Sequence, residues 1–202
     1  MAAKLVHLVD DDPAMRDSIA FLLDTAGFEV QVYEAGTKLL DRLAKPAQGV
    51  VLTDIRMPGI NGLELLRRLR SAGQNLPVVI MTGHGDVPLA VEAMKLGACD
   101  FIEKPFDDEA LVQALRSALE RGGPAKVTDP TLREFVRRVG TLSQRERQVL
   151  DLLVAGNTSK EIGHALDISP RTVEIYRAKL MAKTQASNLQ ELMRWAVLSG
   201  LA

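Results

Sequence analysis

The sequence has almost no cysteine: Cys99 is the only one among 202 residues. A single thiol excludes an internal disulfide and a metal–thiolate cluster. Long apolar runs are missing too, and no stretch approaches the ~20 residues needed to span a bilayer. There are three histidines, and neither His7 nor His84 has a partner at metal-ligand spacing. Met1-Ala2-Ala3-Lys4 leads straight into a strand-like segment, without the basic-then-apolar pattern of an export signal. These absences predict a cytoplasmic protein with no membrane partner. What is present is ordinary for a globular chain: 47% of residues are hydrophobic and 25% charged.

The net charge is −1, unevenly spread. Residues 1–122 carry 13 Lys and Arg against 18 Asp and Glu, whereas residues 141–202 carry 8 against 6. An acidic first part and a mildly basic second part suggest two units with different partners, the second a candidate for nucleic acid. Between them, Gly122-Gly123-Pro124 and Asp129-Pro130 give residues 123–140 the composition of a linker, with a short helix carrying Leu132, Phe135, Val136 and Val139.

The first unit is organised around Val50-Val51-Leu52-Thr53-Asp54, an apolar run ending on an acid and closed by Pro58-Gly59. That pattern predicts a buried strand whose tip carries one carboxylate into a loop. Leu5–Val9, Phe28–Tyr33, Pro77–Thr82 and Ala98–Glu103 read as four more strands, each followed by a helical pattern. Five strands alternating with five helices predict a doubly wound, five-stranded parallel α/β sheet. Ligands bind at the carboxyl ends of the strands in such a sheet. There the first strand delivers Asp10 and Asp11, the third Asp54, the fourth Thr82, and the fifth leads to Lys104. Taken singly, each would read as a helix cap, a turn former or a solvated charge. Together they define a chemistry. Clustered carboxylates repel unless a cation neutralises them. Oxygen-only ligands suit Mg²⁺. One carboxylate can then attack a phosphoryl group and form an aspartyl phosphate.

Val9-Asp10-Asp11, Thr53-Asp54-Ile55-Arg56-Met57-Pro58-Gly59, Met81-Thr82-Gly83 and Glu103-Lys104-Pro105-Phe106 together resemble the receiver domain of two-component response regulators, over residues 4–121. The resemblance implies that Asp54 is phosphorylated by a sensor histidine kinase. It implies that Asp11, Asp54 and the backbone carbonyl of Arg56 bind Mg²⁺ with help from Asp10, and that Thr82 and Lys104 stabilise the phosphoryl group. It also implies a cis Lys104–Pro105 bond. Thr82 and Phe101 take the family's switch positions, and Phe101, lacking a hydroxyl, must act by packing.

The second unit shows three helix starts in quick succession. Ser143-Gln144-Arg145-Glu146 and Thr158-Ser159-Lys160-Glu161 are capping boxes, and Ser169-Pro170 is an N-cap with proline at the first helical position. With a fourth helix over 189–198, they predict a small four-helix domain whose second and third helices are joined only by Asp167-Ile168, the spacing of a helix-turn-helix. On the third helix Arg171, Glu174, Ile175, Ala178, Lys179 and Lys183 share the face opposite Val173 and Leu180, with Arg177 at its border. Arg and Lys hold phosphates, Glu can accept from cytosine N4, and Ile can touch a thymine methyl. Leu142–Leu150, Ser159–Ile162 and Ile168–Glu174 resemble the LuxR-type helix-turn-helix, over 141–202, which adds Thr172 to the expected DNA contacts. A receiver joined to this module is similar to the NarL/FixJ class, and Gly83–Pro88 together with Ser169–Glu174 is closest to its FixJ branch. That resemblance implies a phosphorylation-dependent transcription regulator, read as an activator, with a receiver at 1–122 and a DNA-binding domain at 141–202. Its implied partners are double-stranded DNA, RNA polymerase and a second copy of itself when phosphorylated. It is not expected to be a turnover enzyme. Two rivals remain open: a Mg²⁺-dependent phosphohydrolase, since Asp10-Asp11-Asp12 contains an Asp-x-Asp, and a receiver with a protein-docking output module.

Overall fold

The computed structural model describes residues 4–43, 47–83, 87–122 and 130–201. His84, Gly85 and Asp86, and the linker stretch 123–129, lie outside the described residues. The chain divides into two compact units, residues 1–84 with 96–124, and residues 85–95 with 125–202.

In the first unit the strands are β1 (Leu5–Val9), β2 (Glu29–Tyr33), β3 (Val50–Asp54), β4 (Val78–Thr82) and β5 (Asp100–Glu103). They form one parallel sheet in the order β2-β1-β3-β4-β5. The helices are α1 (Pro13–Thr25), α2 (Gly36–Arg42), α3 (Gly62–Ser71) and α5 (Asp108–Arg121). Every residue of β3 and β4 is buried, which is why both read as unbroken apolar runs. Edge strand β2 alternates instead and leaves Val32 exposed. Asp12 caps α1, accepting from the Ala14 and Met15 amides, and Pro13 opens it. Val6, Leu8, Leu52, Val79, Leu111 and Leu115 form the centre of the core.

The strand order reverses direction of growth at β1 and β3, which lie side by side with Val9 opposite Thr53. Their carboxyl ends therefore open a crevice between Asp10 and Asp54, the usual ligand position in a doubly wound sheet.

The second unit is helical: α4 (Val87–Lys95), α6 (Pro130–Val139), α7 (Gln144–Val154), α8 (Ser159–Leu166), α9 (Pro170–Thr184) and α10 (Leu189–Leu198). In the chain α4 lies between β4 and β5 and α6 falls within the stretch 123–140 of linker composition; both group with the helices of this unit. The physical reason for α6 is burial. Leu132, Phe135 and Val139 are core residues, and the Phe135 ring lies 5.5 Å from Trp195. Both capping boxes form, with Glu146 and Glu161 reaching back to the amides of Ser143 and Thr158. The turn between α8 and α9 is tight. The Ile168 amide donates to the Gly163 carbonyl, and a Cβ on Gly163 would sit 2.7 Å from the Ile168 oxygen. Only glycine allows that approach.

Candidate functional site

Four strand tips deliver the first site. Asp54, at the end of β3, is 8% exposed, and Asp10, just after β1, is 1% exposed. Lys104 follows β5 and reaches across both. Its Nζ donates to Asp54 Oδ1 at 2.5 Å and to Asp10 Oδ2 at 3.1 Å. The Arg56 amide donates to Asp54 Oδ2 at 2.7 Å, so both carboxylate oxygens are engaged. The Asp12 amide donates to Asp10 Oδ1 at 2.9 Å. The Lys104–Pro105 peptide is cis, as the resemblance implies. Thr82 is buried, and its Oγ1 donates to the Ile102 carbonyl over a long 3.4 Å. Phe101, opposite Ile80 in the register, is buried as well.

Opposing influences act on the Asp54 carboxyl. Burial raises the pKa of Asp54 above the usual carboxylate value. The Lys104 hydrogen bond and charge and the Arg56 amide pull it back, and the Asp10 charge pushes it up again. Burial opposes the Lys104 charge, but its bonds to Asp54 and Asp10 outweigh that and hold its ammonium above the ordinary lysine range. One cation thus serves two carboxylates.

The sequence places three carboxylates together, and the structure brings only two onto Lys104. Asp11 is exposed. Among the described residues no group of three or more His, Cys, Asp and Glu is gathered closely enough to hold a metal ion. The Lys104 ammonium bridges Asp10 and Asp54, while Asp11 stands exposed. The donor chemistry of Asp10, Asp11, Asp54 and the Arg56 carbonyl nevertheless fits Mg²⁺, being oxygen only.

Three supporting residues escape a reading of the sequence. Arg16 Nη1 donates to the Asp10 carbonyl at 2.7 Å, and the Asp10 amide donates to the Tyr33 carbonyl at 3.2 Å. Gly62 lies under the β3 tip, where a Cβ would come within 2.5 Å of the Asp54 carbonyl. The sequence signal for Gly62 is only its place at the start of α3. Arg16 and Tyr33 carry no signal, because their contacts cross between elements.

The second candidate site is the outer face of α9. Arg171, Glu174, Ile175, Ala178 and Lys179 are exposed and Arg177 is half-buried, while Val173, Leu180 and Thr184 face the core. Ile175 is 51% exposed, unusual for a large apolar side chain. Glu174 is not free: its Oε1 accepts from Ser159 Oγ at 2.5 Å and from Arg177 Nη1 at 2.7 Å. Lys179 lies over the Tyr176 ring. Thr172 is tied to the cap, its hydroxyl 2.8 Å from that of Ser169. Lys183, expected on the DNA face, instead donates to buried Glu146 at 2.7 Å. Among the described residues no helix is long and apolar enough to cross a membrane.

Comparison with known proteins covers both units. Residues 6–116 match the family of the response regulator receiver domain, and residues 140–196 match the bacterial regulatory proteins of the luxR family. The chain is 50% identical over 196 residues to transcriptional regulatory protein FixJ of Bradyrhizobium diazoefficiens, covering 97% of this chain and 96% of the relative. It is 41% identical to the tetrathionate response regulatory protein TtrR of Salmonella typhimurium, over 94% of this chain and 90% of the relative. Among solved structures, full-length FixJ from B. japonicum aligns over 100% of both chains with a TM-score of 0.58 and 48% identity.

Proposed function

The chain belongs to the FixJ-like response regulators, which join a receiver domain to a LuxR-type DNA-binding domain, and we propose that Asp54 is the phosphoacceptor that controls operator binding through α9. The observation that carries this reading is the strand-tip constellation: a buried carboxylate raised by burial and shared with a single ammonium, Lys104.

A receiver takes its phosphoryl group from a histidine kinase. An Asp54 oxygen attacks the phosphorus of the phosphohistidine. The new P–O bond forms as the P–N bond breaks, and the imidazole leaves with the electron pair and takes up a proton. The phosphoryl group brings further negative charge beside Asp54, and Lys104 Nζ shifts its donation onto a phosphoryl oxygen. Thr82 Oγ1 has only a long bond to exchange, and turns to donate to a second oxygen. Receivers generally use Mg²⁺; here Asp10, Asp11, Asp54 and the Arg56 carbonyl would hold it, and when bound it neutralises charge on the transferring group. Thr82 and Phe101 are both buried, and repacking of Phe101 then reports the modification.

The family acts by regulating transcription and not by substrate turnover. The receiver occupies residues 1–122 and the DNA-binding domain begins near 141. Phosphorylation pairs two receivers, which sets two α9 helices into half-sites one DNA turn apart, about 34 Å. The bound dimer then recruits RNA polymerase, and the whole cycle runs in the cytoplasm.

The test is direct. After incubation with acetyl phosphate and Mg²⁺, borohydride reduction followed by tandem mass spectrometry is expected to find the label at Asp54, and phosphorylated protein is expected to retain a selected DNA sequence. Label at another residue, or retention equal for all sequences, would refute the assignment.

A further inference from the structure

One cavity of the first unit is not used by this chemistry. It has a volume of about 310 Å³ and is lined by Arg16, Val32, Tyr33, Glu34, Lys38 and Arg42. Three cations face one carboxylate in a part of the chain where acids outnumber bases, 18 to 13 over residues 1–122. Among the described residues no carboxylate lies within ion-pair distance of Arg16, Lys38 or Arg42. Arg16 is not swinging free, because Nη1 is fixed on the Asp10 carbonyl at 2.7 Å, which leaves the rest of its donor fork available. Arg42 bears on the wall of the cavity: its charge lowers the Tyr33 phenol, which burial raises by more. The Tyr33 hydroxyl is committed to Gln31 and His7 and adds no donor of its own.

Like charges that outnumber their counter-ions repel one another, and an anion between them relieves that repulsion. The cavity is large enough for a small ligand and too small for a folded partner. We propose that this cavity, between α1, β2 and α2, binds a small phosphorylated anion carrying two or more negative charges, held by Arg16, Lys38 and Arg42 against the Val32 side chain.

The site adjoins the phosphoacceptor through Asp10. Two lining residues hold the Asp10 main chain, Arg16 at its carbonyl and Tyr33 at its amide. An anion that draws the Arg16 guanidinium to itself loosens the first of these bonds, and so alters how Asp10 competes with Asp54 for Lys104. This second effect rests on the reading of Asp54 as acceptor; the binding itself does not.

Titration calorimetry of the full chain with pyrophosphate, in chelator and without metal, separates the two. The wild type is expected to bind one equivalent. K38Q/R42Q, whose replaced side chains are exposed, is expected to keep its thermal melt and lose at least tenfold in affinity. K104Q is expected to bind as the wild type does. With pyrophosphate present, the rate of phosphoryl uptake from acetyl phosphate is expected to change in the wild type and not in K38Q/R42Q. The proposal is overturned if the wild type does not bind. It is overturned equally if K38Q/R42Q binds as well as the wild type, or if K104Q is the variant that loses binding, which would place the anion at the strand tips. Loss of binding in K38Q/R42Q together with failure of Asp54 to be labelled in any protein would sink the acceptor reading and leave the anion site standing.

Discussion

Asp54 and Glu174 are both carboxylates held by a cation and one further donor, yet they are built in opposite ways. Asp54 is buried, and its cation comes from 50 residues along the chain. Glu174 is exposed, and its cation, Arg177, is one helical turn away. Burial raises the pKa of the first, against the pull of Lys104 and the Arg56 amide. The second stays in solvent, where the ion pair itself is worth less than about 1 kcal/mol. Its value lies in orientation, since Ser159 and Arg177 fix which way the carboxylate points. The proposed phosphoacceptor is assembled by the sheet, and the proposed DNA-reading face is laid out along one helix.

The largest expected effect breaks the buried side of this contrast. D54N should abolish phosphoryl uptake with the fold intact by circular dichroism, and K104A should slow uptake by on the order of 10²–10³-fold, the usual loss when a donor to developing charge is removed. Phosphate release assays check both, and near-normal uptake by K104A would mean that the ammonium is structural. Next comes the exposed side. S159A leaves Arg177 alone to orient the Glu174 carboxylate, and operator discrimination should weaken by up to about 1–3 kcal/mol, the worth of one well-placed base contact. K179A should instead weaken all sequences alike and reduce the salt slope by about one unit. Competition binding against mutated operators distinguishes the two.

A third prediction concerns stability. The Lys183 bond, opposed by some desolvation and helped by the Ser143 amide, lowers the Glu146 pKa to about 2. A depressed acid stabilises the folded state above its unfolded value, near 4.5, and that contribution disappears as pH falls toward about 2. E146A should therefore cost about 2 kcal/mol at neutral pH, from the lost cap and the lost pair, and should flatten the acid limb of the stability curve. Urea melts at several pH values would show it. The smallest effect is at His7, which burial keeps below the usual 6.5 despite its bond to the Gln48 carbonyl. The unfolded chain takes the proton first as pH falls below 6.5, so stability declines there. H7F should remove that decline, by under about 1 kcal/mol at pH 6. An unchanged slope would mean His7 is charged in the fold.

The same contrast explains what could be read without coordinates. Strands β1, β3 and β4 are apolar runs that end on Asp10, Asp54 and Thr82, so strand and site are visible in one glance at the sequence. The caps at Asp12, Ser143, Thr158 and Ser169 are equally legible, being local. Long-range pairings are not. Lys104 taking the space between Asp10 and Asp54, Arg16 on the Asp10 carbonyl and Lys183 on Glu146 depend on how elements meet, and helical spacing alone sets Lys183 on the DNA face. Helix α6 is legible from its spacing, but breaker residues precede it, so its composition reads as linker although Phe135 is core.

The central claim is that phosphorylation of Asp54 changes the state of the whole chain. Native-state molar mass and phosphate content, measured together with and without acetyl phosphate and Mg²⁺ on the wild type and D54N, test it most directly. One phosphate per chain and a shift from monomer to dimer in the wild type alone is the predicted result. Phosphate uptake by D54N at the same stoichiometry, or a fully labelled wild type that stays monomeric, would contradict it.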